Sequence, residues 1–276
     1  MDHDVEVIAA HAERVLPLAI ARLGDEYFYQ SLPLCVIDAV YSIGVRYSGV
    51  QRVVARYCEW SGLRTFRTDR RSLPLTHEQE SIAVFCERAE QIGPAAMADA
   101  VFGNRQRTSP RAGVLKAEAV YRFASVLRAH RVHSFQDVPT AADDARLESD
   151  IRSIAGQGSG ISLRYFWMLA GSDEFIKPDR MILRFLHSVL GQPVSPGEAQ
   201  LLLKGAAQRL QARFPNITPR LLDHEVWKYQ REQGERVDSV GNPTQRSSGP
   251  SARDARTPAA ERRRSAESIV ICLWPG

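Results

Sequence analysis

Three glycines at alternate positions, Gly156, Gly158 and Gly160, punctuate a chain that otherwise reads as one helix after another. Glycine admits positive φ and leaves its amide unshielded by a Cβ atom. The turn Ala155-Gly156-Gln157-Gly158-Ser159-Gly160 can therefore reverse the chain tightly and let a phosphate approach its backbone. Before it, Leu147, Ile151 and Ile154 lie on one face of a helix predicted over 143–154. After it, Ile161, Tyr165, Met168 and Leu169 follow the i, i+4, i+7, i+8 spacing of a second helix. Helix, G-x-G turn, helix is the physical recipe for a hairpin that offers a helix N-terminus to a phosphodiester backbone. The same glycines also fit a plain tight turn. No β-branched run precedes them, which speaks against a dinucleotide-binding fingerprint.

No stretch alternates as a strand, so the spacing predicts an all-α fold. Residues 1–30 read as helix interrupted near Pro17 and stopped at Gly24. Ser31-Leu32-Pro33 opens a long apolar-periodic run from Leu34 to Trp60, which Gly44 and Ser48-Gly49 are expected to break in two. Residues 75–92 start at Thr76 with Glu78 and Glu80 suited to a first turn, and they close at Gly93-Pro94. A short helix at 94–101 leads to the polar loop Gly103–Pro110, and Lys116–His130 buries Val120, Phe123, Ala124 and Leu127. Helices follow Lys177-Pro178-Asp179, Pro196 and Pro219, and 196–229 is expected to pack back on the N-terminal helices.

Composition narrows the class of protein. At 276 residues the chain can bury a substantial core, and its 44% hydrophobic content is that of a globular protein. No apolar run approaches the roughly 20 residues that span a bilayer. The acidic start Met1-Asp2-His3-Asp4 is not a signal sequence, so no membrane partner is expected. Cys35, Cys58, Cys86 and Cys272 are scattered without paired spacing, which fits reduced thiols in the cytoplasm. The net charge of +4 permits an anionic partner without requiring one. Its distribution says more: residues 101–135 hold seven Lys/Arg, among them Arg105, Arg107 and Lys116, against the single acid Glu118. Arg64, Arg67, Arg70 and Arg71 form a second basic stretch. Either stretch is a solvated face or an electrostatic footprint for phosphates.

The turn and the Lys177-Pro178-Asp179-Arg180 step together resemble the helix-hairpin-helix and Gly/Pro…Asp segment of the endonuclease III-like (HhH-GPD) DNA glycosylases. There a Leu-Pro-Gly-Val-Gly turn is followed by a helix, a loop and a Val-Asp-Thr-His step with the catalytic aspartate. Ile154-Ala155-Gly156-Gln157-Gly158 stands where that turn would be, and Asp179 where the aspartate would be. Gly113 to Val120 is similar to the Gly-x-x-x-x-Lys-Ala-x-x-Ile segment of the same proteins. Cys35 to Tyr47 resembles their earlier helix ending in Ser-Ala-Gln, with Ser42-Ile43-Gly44 in place of that step. The resemblance covers roughly 31–191.

What the resemblance implies is a two-lobed helical fold with the hairpin between the lobes. Residues 1–30 would pack with 192–229, 31–141 would form a helical domain, and 142–191 would carry the hairpin and the Asp-bearing helix. It implies a monomeric, cytoplasmic enzyme of base excision repair acting on double-stranded DNA, nucleoid-associated if the source is a bacterium. Asp179 would stabilise the oxocarbenium character of the breaking glycosidic bond and orient water, although Asp after Pro is also a good N-cap. Gly156, Gly158, Ser159 and Gly160, with Arg164, Lys116, Arg105 and Arg107, would hold the DNA backbone. Tyr41, Tyr165 and Trp167 are candidates for a base pocket, as well as for plain core, and Tyr47 shares that standing. Bifunctional members carry a Schiff-base lysine just after the hairpin glycines, where this chain has Gly160, so a monofunctional enzyme is expected. Lys177 reads as a surface lysine. No iron–sulfur cluster is expected, because only Cys272 follows Asp179, and no other cofactor is implied beyond a hairpin-bound cation.

Beyond Gln230 the sequence loses periodicity and reads as a disordered tail, with eight Arg against six acids and an Arg262-Arg263-Arg264 run. Two other readings fit the residues. One is a catalytically silent helix-hairpin-helix protein in which Asp179 only caps a helix. The other is a helical protein-interaction module whose basic loops are mere surface.

Overall fold

A computed structural model of the chain describes residues 1–111 and 113–240, with side chains described up to 234. Met1–Arg236 forms one compact unit. The fold is all-α: α1 Asp2–Val15, α2 Leu32–Tyr41, α3 Tyr47–Ser61, α4 Ile82–Ile92, the single turns α5 Pro94–Ala96 and α7 Val138–Ala141 on either side of α6 Lys116–Ala129, then α8 Ala145–Ser153, α9 Ile161–Leu169, α10 Arg180–Leu190, α11 Pro196–Leu210 and α12 Pro219–Val240. The β-type pairing among the described residues is two isolated bridges, Tyr29 with Phe66 and Arg107 with Leu115.

Helix ends follow local chemistry. Ser81, Asp144, Asp179 and Ser195 each accept a first-turn amide at the starts of α4, α8, α10 and α11, and Ser195 with Glu198 completes a capping box. Gly62 and Gly191 close α3 and α10 in the left-handed region. The break after α2 falls at residues 42–46, where Gly44 has φ +71°; Ser48 and Gly49 lie inside the first turn of α3 and break nothing.

The apolar side chains gather in two clusters. The larger joins α2, α3, α4, α6 and α9, with α2 at its centre. Every residue of α2 is buried, Asp38 included, so this helix is enclosed on all sides. The smaller cluster joins α1, α10, α11 and α12, with α1 packed chiefly on α11 and α10. Leu23 touches both clusters. The segments 16–31 and 171–179 run between them, and the second delivers Asp179 to the start of α10.

The tail expectation needs correction at its near end. α12 continues ten residues past Gln230 to Val240, without an apolar stripe to announce it. The remainder of the expected tail, with Arg262–Arg264 and Cys272, lies outside the described residues. Cys35, Cys58 and Cys86 are buried free thiols. Among the described residues no helix is long and apolar enough to cross a membrane, and no group of His, Cys, Asp and Glu is arranged to hold a metal ion.

Candidate functional site

The 154–160 turn links α8 to α9 through two short backbone bonds, Gln157 N–H to the Ile154 carbonyl at 2.8 Å and Gly160 N–H to the Gln157 carbonyl at 2.9 Å. Gly156 and Gly160 hold positive φ, at +87° and +71°. Gly156 is doubly constrained, because a Cβ there would overlap the Thr108 side chain. That contact sets the loop bearing Arg105 and Arg107 directly on the turn. Gln157 is buried, and its Oε1 accepts from the Ser162 hydroxyl. Among the described residues, the amides of Gly156, Gly158 and Ser159 have no acceptor, and α9 has no side-chain cap at Gly160. Exposed amides beside a helix start suit an anion, although the Ser159 hydroxyl accepts from the first α9 amide, Ile161 N–H, at 3.4 Å. The Gly158 carbonyl is bound by Arg152 Nε at 3.1 Å, so the chain itself supplies a positive group where a hairpin cation would compete.

The basic side chains divide. Arg105 forms a two-pronged pair with exposed Asp99, at 2.7 and 2.6 Å. Arg107 Nη1 donates to the Gly113 carbonyl at 2.7 Å, and Arg164 Nη1 reaches the Pro196 carbonyl at 3.4 Å. Each keeps further donors for a phosphate. Lys116 must be withdrawn from that set. It is 3% exposed, and its ammonium donates to the Tyr41 and Ile43 carbonyls at 2.9 and 2.8 Å, closing the end of α2. Burial pulls its pKa down to about 8.

Asp179 caps α10, with Oδ1 accepting from Met181 N–H at 2.7 Å and Ile182 N–H at 3.4 Å. Both bonds fall on one oxygen, which leaves Oδ2 uncommitted to the cap. The neighbouring Lys177 is not a surface lysine. Its side chain is half-buried, its ammonium stands 3.8 Å from the centre of the Tyr165 ring, and it donates to Ser42 Oγ at 3.0 Å. Its backbone amide donates to Asp223 Oδ1 on α12 at 2.9 Å, which fixes the segment that presents Asp179.

Around Lys177 stands an acidic group made of its near neighbour Asp179 and of Glu26, Asp38 and Asp223 from elsewhere in the sequence. Burial lowers the pKa of Lys177, while Asp179, then Asp38, Asp223 and Glu26 pull it back up. Asp223 is held well above the usual carboxylate range by burial and by the charge of Asp179. Burial pushes Asp38 up to about 7 against the Lys177 charge. Tyr29 donates to Asp38 Oδ2 at 2.9 Å, whereas Oδ1 is buried without a hydrogen-bond partner. Such an orphan oxygen is costly and rare. Two carboxyl groups held above their usual range beside one lysine are an arrangement common at functional sites.

Tyr41, Tyr165 and Trp167 are 1%, 5% and 2% exposed. Tyr41 packs on Phe102, Trp167 on Phe166, and Tyr165 lies under Lys177, so none offers a free ring face to a ligand. A cavity of about 260 Å³ opens elsewhere, lined by Glu26, Tyr29, Tyr47 and Phe66 among others. Sequence reasoning missed Glu26, Tyr29, Phe66, Asp38 and Asp223. Only Asp38 gave a signal, as the single charge in the apolar run Leu32–Tyr41.

No curated protein and no solved structure matches the chain. Residues 6–231 match the family model described as Domain of unknown function (DUF8548), and the chain belongs to that family.

Proposed function

We propose that the chain binds double-stranded DNA through the 154–160 turn and hydrolyses the N-glycosidic bond of a damaged or mispaired base, with Asp179 as the catalytic carboxylate. The observation that carries this reading is the setting of Asp179. One oxygen is anchored by the α10 amides, the other is free of the cap, and the residue lies one helix and one loop beyond a turn with uncommitted amides. As a base departs, the sugar acquires oxocarbenium character. A carboxylate held in place stabilises that charge and orients the attacking water, and a pre-organised group of this kind is worth about 10²–10³ in rate. The two apolar clusters, with the Asp179 segment running between them, support a two-lobed arrangement with a helix-hairpin-helix. In this reading Lys177 contributes charge: its ammonium is engaged by Ser42 and Tyr165 and faced by four carboxyl groups. The product is an abasic site in an intact strand.

A base-release assay tests this. End-labelled duplexes carrying uracil, hypoxanthine, 3-methyladenine, 8-oxoguanine or a mismatch are incubated with wild type and with Asp179→Asn, then divided with and without hot alkali. Cleavage by wild type only, and only after alkali, is the expected result. Strand cleavage without alkali, trapped by borohydride and lost in Lys177→Met, would replace hydrolysis with amine chemistry. Binding without base release on any duplex would leave a silent DNA-binding protein, a reading favoured by the competent N-cap that Asp179 already makes.

A further inference from the structure

The cavity near the Asp25–Phe28 turn is lined by acidic and aromatic side chains. In a chain with 36 Lys and Arg, its lining contains Asp25 and Glu26 and not one basic side chain. Its wall is aromatic. The Tyr29–Phe66 bridge brings those two rings together at 5.5 Å and 16°, nearly parallel. Phe66 spends its inner face on Tyr29 and remains 38% exposed, an unusual state for a phenylalanine in a walled cavity. Tyr47 forms a further part of the wall.

Glu26 is built into place. Its carboxylate folds back over Gly24, where a Cβ would overlap it, and its own backbone amide contributes a hydrogen bond. His224 faces it at 3.8 Å and is kept neutral, its pKa lowered to about 4 by burial and by Lys228 and Arg231. Burial raises the Glu26 pKa, the charges of Arg231 and Lys177 pull it back, and Asp25 is paired with Arg70. Behind the wall, Tyr29 holds Asp38, the fully buried carboxyl with an orphan oxygen. The cavity is smaller than the roughly 300–1,000 Å³ typical of drug-sized ligands, so it suits a single ring system.

We propose that this cavity binds a flat nitrogen heterocycle that presents two adjacent N–H donors on one edge, as a guanine-type ring does, with Glu26 accepting from that edge and Phe66 stacking on the ring face. A carboxylate takes two parallel N–H bonds as it does from an arginine fork, and the absence of a cation in the lining disfavours phosphate or carboxylate ligands. Uracil-type rings, whose one N–H lies between two carbonyls, would set oxygen against oxygen. The inference deepens the proposed function where the ring is a base extruded from DNA, and rests on that reading only to that extent. A free nucleoside has the same chemistry.

Calorimetric titration of the full chain with guanosine and with uridine tests it, using wild type, Glu26→Gln, Phe66→Ala and Asp179→Asn. Guanosine is expected to bind wild type and Asp179→Asn alike. Glu26→Gln should weaken it at least tenfold, and Phe66→Ala should also weaken it, while uridine gives no saturable heat. Competition by guanosine against a duplex with an unpaired guanine assigns the ring to extruded DNA, and guanosine binding without duplex binding assigns it to a free nucleoside. Equal binding of guanosine and uridine, no binding of either, or unchanged affinity in Glu26→Gln overturns the proposal. Failure of the glycosylase reading shows separately, as absent base release with guanosine binding intact. Circular dichroism melts of each variant separate loss of the fold from loss of the site.

Discussion

Asp179 and Asp38 are both aspartates within reach of the same lysine, yet the chain treats them in opposite ways. Asp179 begins a helix whose first amides bond one of its oxygens, a cap that the sequence itself announces. Asp38 lies within a helix buried on every face, with the Tyr29 hydroxyl on Oδ2, Tyr47 also lowering its pKa by hydrogen bonding, and Oδ1 outside direct hydrogen-bond geometry. Burial therefore drives its proton affinity up to about 7. The difference shows that a carboxylate's chemistry is set by whether backbone or core surrounds it. The first setting is legible in residue order, and the second exists only after the chain has folded.

The largest expected effect comes from breaking the Asp179 side of this pair. Asn is also a good cap, so Asp179→Asn should keep its melting temperature while base release falls about 10²–10³-fold. Asp179→Ala should lose the same activity and, in addition, about 1 kcal/mol of stability in urea unfolding. Equal activity in Asp179→Asn and wild type would reduce Asp179 to a cap.

On the Asp38 side the effect is on stability and has a definite sign. An acid whose folded pKa rises from 3.8 to about 7 binds more protons folded than unfolded between those values. Stability therefore falls as pH rises through that window, and the full cost is present above about 7, on the order of a few kcal/mol. Urea midpoints measured from pH 5 to pH 8 should decline in wild type and decline less in Asp38→Asn. Parallel profiles would mean that Asp38 is already compensated.

The turn offers a smaller contrast. Gly156 has φ +87° and no room for a methyl group, while Gly158 lacks positive φ and has only the Arg152 carbonyl nearby, at 3.7 Å. Gly156→Ala should cost about 2 kcal/mol, from left-handed strain together with the Thr108 overlap. Gly158→Ala should leave stability within about 0.5 kcal/mol of wild type and instead weaken salt-dependent DNA binding by screening its amide. Equal DNA affinity in the two proteins would remove Gly158 from the interface.

The smallest effect is expected at His130, which bridges Asp144 at 2.9 Å and Asp150 at 2.8 Å and so ties α6 to α8. The hydrogen bond to Asp150 leads in raising its pKa above the usual 6.5. Its contribution is therefore present below 6.5 and is lost as pH rises through the higher folded value. His130→Gln should flatten that slope in thermal melts taken from pH 6 to pH 8.

Much of the fold was readable because helix starts are local events. Ser195-Pro196 with Glu198, Asp144 before Ala145 and Asp179 before Arg180 each carry their cap within three residues. The near end of the expected tail was misread because Arg231, Glu232 and Gln233 favour helix without marking a buried face. Lys177 was misread for the opposite reason. Its sequence neighbours are those of an exposed loop, but Ser42, 135 residues away, and Tyr165 take its ammonium. Lys116 fits a basic stretch until the Tyr41 and Ile43 carbonyls claim it. Glu26 and Asp223 reach Lys177, and Phe66 the cavity wall, only because tertiary packing brings α12 and residue 66 to the 16–31 segment.

The enclosure of α2 has a consequence during synthesis. Leu32–Tyr41 emerges early, but α9, against which it packs most extensively, is encoded about 120 residues later. At about 5–20 residues per second, a strongly apolar helix waits on the order of ten seconds for its cover. A nascent chain arrested before Ile161 should therefore present Leu32–Tyr41 to ribosome-associated chaperones, and release of that contact should coincide with emergence of α9 from the ribosome.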